Sequence, residues 1–153
     1  MGSVMKNVRF SSLAFILAAL LTTACSESPA NPTSPSAGSG SPALTTGQLT
    51  GTWTLSSLQP TGQPAQASPA AYTISFTDGR VSTRADCNQC SGTISVSGQT
   101  LTVGPNLACT RAACATMAFE TIYTGILSGD HTVEVSGNSL VLSSARGRLA
   151  FTQ

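Results

Sequence analysis

The chain has 153 residues, and only 8% of them are charged, with a formal net charge of +1. Two of its seven cationic residues, Lys6 and Arg9, fall in an apolar leader, so the remainder carries no basic patch able to hold nucleic acid. Once the leader and a linker are set aside, roughly 100 residues remain to fold, a size at which burial is marginal and cross-links matter.

Residues 1–24 read as a signal peptide. Lys6 and Arg9 precede the apolar run Leu13 to Leu21, and Thr22-Thr23-Ala24-Cys25 follows. The run would rise about 14 Å as a helix, too short for a hydrocarbon core of roughly 30 Å. The small Ala24 directly before Cys25 resembles a bacterial lipobox, although Thr22 stands where such boxes prefer leucine. That resemblance implies a diacylglyceryl thioether on Cys25 and an acylated amino group. Five cysteines in an oxidising compartment leave one unpaired, and lipidation of Cys25 removes it from the count. Several acyl chains give the double anchoring signal that one chain lacks. Ser26, in place of Asp, fits the default outer-membrane sorting signal, which predicts a lipid-anchored envelope protein facing the periplasm.

Residues 25–48 form the lipidated cysteine and a linker mostly of Ser, Pro, Gly, Thr, Ala and Asn, whose one large apolar residue is Leu44. Such a segment buries too little surface to offset its ordering entropy and is expected to be disordered as far as about Gln48.

From residue 49 the apolar residues alternate, as in half-buried strands. Trp53 and Leu55 form a first set, and Tyr72, Ile74 and Phe76 a second. Asp78-Gly79 then suits a type I′ hairpin turn, with the partner strand starting at Val81. Ser91-Gly92 reads as a turn. Two segments, Thr93 to Val103 and Thr132 to Leu142, each centre on a Gly-polar turn, placing Ile94 opposite Val103, Val96 opposite Leu101, Val133 opposite Leu142 and Val135 opposite Leu140. A four-residue loop at Ser144 to Gly147 brings Leu149 and Phe151 back onto Leu142 and Leu140. Between the hairpins lies one stretch of helical period, with Ala115, Ala118, Phe119, Ile122 and Ile126 on one face, Thr110 as a possible N-cap and Gly129 just past the end. The expected fold is mainly β (α+β): a small antiparallel sheet of about seven to eight strands rolled into a partly open barrel, with one amphipathic helix.

Cys87, Cys90, Cys109 and Cys114 admit three readings. Zinc requires four reduced thiolates, and the four-residue gap between Cys109 and Cys114 is not the usual ribbon spacing, so no metal is expected. A redox Cys87–Cys90 pair requires a helix N-terminus, whereas a turn and a strand follow these residues. Extending the Gly98-Gln99 hairpin outward brings Cys90 near Cys109 and Cys87 near Cys114, which predicts nested disulfides. Cys87 with Cys109 and Cys90 with Cys114 remains open.

Trp53-x-Leu55, Phe76 to Val81, Asp86-Cys87-Asn88-x-x-Ser91-Gly92, Leu101, Thr110, Cys114, Glu120 and the closing Leu140-x-Leu142 and Leu149-x-Phe151 together resemble the META domain, typified by HslJ-like heat-shock lipoproteins, over residues 49–153. The chain departs from that pattern with Asp86 where many members have Gly, and with the additional Cys90 and Cys109. The resemblance implies a barrel-like sheet with one helix in envelope proteins linked to stress or antibiotic tolerance. It implies structural roles for Trp53, Asp86, Asn88, Gly92 and Thr110, and no catalytic residues.

The rest of the chain agrees with that silence. It contains no Gly-x-Ser-x-Gly and no His-Glu-x-x-His, and its sole histidine is His131. Asp86 reads as an acceptor for loop N–H groups or a partner of Arg84 or Arg111, and Asn88 as a loop organiser. The expected molecule is therefore a monomeric, non-enzymatic, cofactor-free lipoprotein that binds an envelope protein. Two alternatives stand beside it: a small apolar ligand in a barrel mouth lined by Trp53, Tyr72 and Phe76, and a thiol redox protein.

Overall fold

A computed structural model describes residues 43–153; the leader, Cys25 and most of the linker lie outside the described residues. Ten antiparallel strands run in the order β1 (Thr52–Pro60), β2 (Gln66–Ala67), β3 (Tyr72–Thr77), β4 (Arg80–Ala85), β5 (Asn88–Ser97), β6 (Thr100–Val103), β7 (Ala108–Cys109), β8 (Gly129–Ser136), β9 (Ser139–Ser144) and β10 (Gly147–Thr152). One helix, α1 (Met117–Leu127), separates β7 from β8. Neighbouring long strands pair from β10 through β9, β8, β6, β5, β4 and β3 to β1, and β1 pairs back onto β10, which closes the barrel. The short β2 and β7 add to β1 and β5.

The alternation of the sequence sets the register. Ile94 faces Val103, Val96 faces Leu101, Val133 faces Leu142, Val135 faces Leu140, and Leu149 and Phe151 face Leu142 and Leu140. Asp78 and Gly79 both have positive φ, at 48° and 71°, as a type I′ turn between β3 and β4 demands. These inward sets meet in one core with Leu49, Trp53, Tyr72, Phe76, Phe119 and Tyr123.

Three expectations are corrected. The ordered chain begins before residue 49: Leu44 packs against the core, its N–H bonds the Gly98 carbonyl, and Thr46–Leu49 forms a 3₁₀ turn that buries Leu49 completely. Burial of Leu49, packing of Leu44 and the backbone bond to Gly98 act together against the ordering entropy of this polar stretch. Ser91-Gly92 is not a turn; both residues lie inside β5, and the hairpin turn is Asp86-Cys87, with Ala85 opposite Asn88. The helix starts at Met117, with Thr116 rather than Thr110 at its N-cap. Its buried face is Phe119, Tyr123, Ile126 and Leu127, while Ala115 and Ala118 are exposed. Met117 and Gly125 also lie on exposed positions, which is why the apolar residues before Phe119 give a false phase to the helical period.

Candidate functional site

The motif residues assemble where the β4–β5 turn, the β6–α1 loop and the start of α1 meet. Asn88 is 1% exposed and stands at the centre. Its Oδ1 accepts from the Ala112 N–H at 2.8 Å and the Thr110 hydroxyl at 2.9 Å, while its Nδ2 donates to the Ala112 carbonyl at 3.1 Å and to Glu120 Oε2 at 2.9 Å. Both ends of the amide are thereby satisfied, as burial requires. Thr110 also accepts from the Gln89 N–H at 3.0 Å and donates its own N–H to the Gln89 carbonyl, which holds the loop beside β5.

Asp86 has φ 56°, in the left-handed region. Its Oδ2 accepts from the Thr116 N–H at 3.2 Å and hydroxyl at 2.8 Å, placing a carboxylate at the positive end of α1. The Tyr72 hydroxyl lies 2.8 Å from the same Thr116 oxygen, and burial pushes the Tyr72 phenol upward from its ordinary pKa. Asp86 therefore acts on loop N–H and hydroxyl groups. Arg84 reaches its backbone carbonyl through Nε at 2.8 Å and not its carboxylate.

Two disulfides fix the same region. Cys90 and Cys109 are direct cross-strand partners between β5 and β7 and are bonded to each other, and Cys87 in the turn is bonded to Cys114 in the loop before α1. The nested connectivity follows because the β4–β5 turn and the β6–α1 loop are both outward extensions of the β5–β6 hairpin. Gly92 is buried where a Cβ would stand 2.9 Å from Leu107 Cδ2, so its absent side chain admits the loop. Trp53 sits apart, in the core, donating Nε1–H to the Leu49 carbonyl at 3.1 Å. Tyr72 and Phe76 belong to the same packed interior.

This clamp forms one wall of an open groove of about 600 Å³ on the sheet surface. Residues Thr52, Thr73, Ser75, Ser82, Arg84 and Ser91 line it from the strands, and Gln89, Ala108, Cys109 and Thr110 from the clamp side. Trp53, Tyr72 and Phe76 are not in its lining. Apolar alternation marks only the inward positions and so does not reveal this surface. The signal lay in the intervening positions, where Thr73, Ser75, Ser82, Arg84, Gln89 and Ser91 place polar side chains opposite the core.

Among the described residues no group of three or more His, Cys, Asp and Glu side chains could hold a metal ion, and no helix is long and apolar enough to cross a membrane. His131 is distant in role from the clamp: it is 1% exposed, and its Nε2 lies 2.8 Å from the Leu127 carbonyl at the end of α1.

Solved structures share the fold. A protein from Burkholderia xenovorans, solved by NMR, superposes with a TM-score of 0.59 at 24% identity over 81% of this chain and 97% of that one. A second NMR structure gives 0.55 at 27% identity over 71% and 94%. A lipocalin-like protein from Bacteroides uniformis gives 0.51 at 18% identity over 69% and 98%. None of the curated proteins compared matches the sequence. The family model of the META domain matches residues 45–153, which takes in the closed barrel, the helix and the clamp, and the chain belongs to that family.

Proposed function

We propose that this protein is a non-catalytic binding module, held at the bacterial envelope by lipid on Cys25, whose recognition surface is the groove beside the Asn88 clamp. The observation that carries the reading is the groove itself: a polar surface of about 600 Å³ with one wall fixed by the Cys90–Cys109 disulfide and the hydrogen bonds of Thr110 to Asn88 and Gln89. A rigid wall lowers the ordering cost of binding. No carboxylate lines the groove, and the two in the adjoining clamp hold its structure, Asp86 through Thr116 and Glu120 through Asn88. A role under envelope stress or in antibiotic tolerance fits a tethered accessory protein of this kind.

The apolar-ligand alternative has less support, because Trp53, Tyr72 and Phe76 are packed in the core. The redox alternative loses its motif, because Cys87 and Cys90 are bonded to Cys114 and Cys109 and not to each other. The test is a photo-crosslinking amino acid placed at Ser82 in the full lipoprotein expressed in its native envelope. A discrete adduct, abolished by Arg84→Gln, is expected. Absence of any adduct at Ser82, with an adduct at another face of the barrel, overturns the assignment of the groove. Intact mass of the membrane-extracted protein tests the anchor, which predicts acyl mass on Cys25.

A further inference from the structure

We infer that the groove takes an acidic carbohydrate chain, an assignment that rests on the binding-module reading and names its ligand class. The sheet register sets Thr52 opposite Ser75, Ser75 opposite Ser82, and Ser82 opposite Ser91, so four hydroxyl residues form one rung across β1, β3, β4 and β5. Adjacent strands lie about 4.8 Å apart, so the rung repeats at a spacing comparable to successive sugar rings in an extended chain. On the next rung Thr73 stands opposite Arg84.

Each of these hydroxyls can donate one hydrogen bond and accept two. None of Thr52, Thr73, Ser75, Ser82 and Ser91 makes a side-chain hydrogen bond to another described residue, in contrast to Thr83, Thr110 and Thr116, whose hydroxyls are all engaged. The groove therefore offers a row of groups that both donate and accept. A ligand that meets them must do the same at regular intervals, which is the chemistry of a sugar chain. A hydrocarbon would leave the row dehydrated and unpaired. A peptide strand would find little free backbone ladder, because β3, β4 and the first half of β5 are paired on both sides and only the short β7 leaves an edge open.

Arg84 supplies the acidic preference. Its Nε is occupied by the Asp86 carbonyl, which orients the guanidinium and leaves its two terminal amino groups without an acceptor among the described residues. No Asp or Glu lines the groove to neutralise it. A planar fork in that setting matches a carboxylate or phosphate on the sugar.

The test titrates the full-length protein in detergent micelles with a fluorescently labelled galacturonic acid tetramer, using the neutral galactose tetramer and inorganic phosphate as comparators. Saturable binding of the acidic tetramer is expected, about tenfold weaker for the neutral one, and weakened about tenfold by Arg84→Gln and severalfold by Ser82→Val at unchanged melting temperature. Equal binding of acidic and neutral tetramers, or an Arg84→Gln variant of intact melting temperature that binds as well as the parent, overturns the inference. Displacement of the tetramer by phosphate at matched affinity also overturns it, since that describes an anion site alone. The neutral comparator needs no variant, so a folding defect cannot obscure the result. If these sugars fail while the Ser82 crosslink in the envelope persists, the binding-module reading stands and only the ligand class falls.

Discussion

Asp86 turns its carboxylate onto Thr116, accepting both the N–H and the hydroxyl of the residue that begins α1, while its own backbone sits at φ 56°. Glycine would enter that region without the roughly 1 kcal/mol that a Cβ costs there. Asp tolerates the conformation better than most residues and adds a hydrogen-bonded anchor for the helix. Asp86→Ala keeps the strain and loses the anchor, and is expected to destabilise by about 2 to 3 kcal/mol. Asp86→Gly loses the anchor but relieves the strain, so it should cost about 1 kcal/mol less. Urea denaturation of the two variants checks the order; an Ala variant as stable as the Gly variant would refute the strain argument.

Asn88 gives a second prediction. Asn88→Ala leaves the Ala112 N–H and the Glu120 carboxylate without their buried partner, and a loss of about 3 kcal/mol is expected. Hydrogen exchange should accelerate first at the amide of Ala112. Asn88→Asp is more informative, because it sets a second carboxylate about 3 Å from Glu120. That pair raises a carboxyl pKa in the folded state above its unfolded value. Stability of this variant should therefore be best in acid and fall as pH rises through the carboxyl range, a slope that denaturation between pH 3 and pH 7 reads directly.

The disulfides close loops of 19 and 27 residues, and chain-entropy estimates give each about 3 to 4 kcal/mol. Paired Ala substitution at either bridge should lower stability by amounts of that order. Their effects on the groove should differ. Cys90 and Cys109 line it, so removing that bridge is expected to weaken the Ser82 crosslink, whereas removing Cys87–Cys114, which lies outside the lining, should leave it largely intact. Equal loss of the crosslink in both double variants would show that the clamp acts as one unit.

The parts of the fold legible in the sequence are those where a local rule and a long-range contact agree. Ile94 opposite Val103 and Val135 opposite Leu140 follow from alternation about a Gly-polar turn, and Cys90 opposite Cys109 follows by extending the first of these registers. Where the two disagree, sequence reading fails. Ser91-Gly92 has turn chemistry, but Gly92 is needed inside a strand because Leu107 packs over it from a loop fifteen residues on, and no local pattern records that contact. Thr110 looks like a helix cap since it is a threonine ahead of a periodic stretch. Its hydroxyl is taken by Asn88 and the Gln89 N–H instead, so the helix waits until Thr116, where Asp86 is available. The groove escaped for a different reason: a row of Thr and Ser on alternate positions is also what any solvated strand face shows, and only the pairing of Thr52, Ser75, Ser82 and Ser91 on one rung distinguishes it.

His131 is expected to make the stability of the native fold depend on pH. The ring is fully buried, its Nε2–H donates to the Leu127 carbonyl, and its Nδ1 has no hydrogen-bond partner. A proton added at Nδ1 would be a buried, unpaired donor on a cation. Burial therefore pushes the imidazole below its ordinary 6.5, helped by the nearby Arg146 and opposed by the Leu127 carbonyl and Asp130. With the folded pKa depressed, the unfolded chain takes up the proton first. The stability that the neutral imidazole contributes is complete above about pH 6.5 and is lost progressively as pH falls below it, levelling off only under the folded-state pKa. Melting temperatures followed from pH 7.5 to pH 4.5 should decline as the pH falls. His131→Leu removes the titrating group. It also leaves the Leu127 carbonyl unpaired and should melt lower at neutral pH, yet its melting temperature should change less with pH in the same window. A variant that keeps the full slope would refute the assignment of the acid sensitivity to His131.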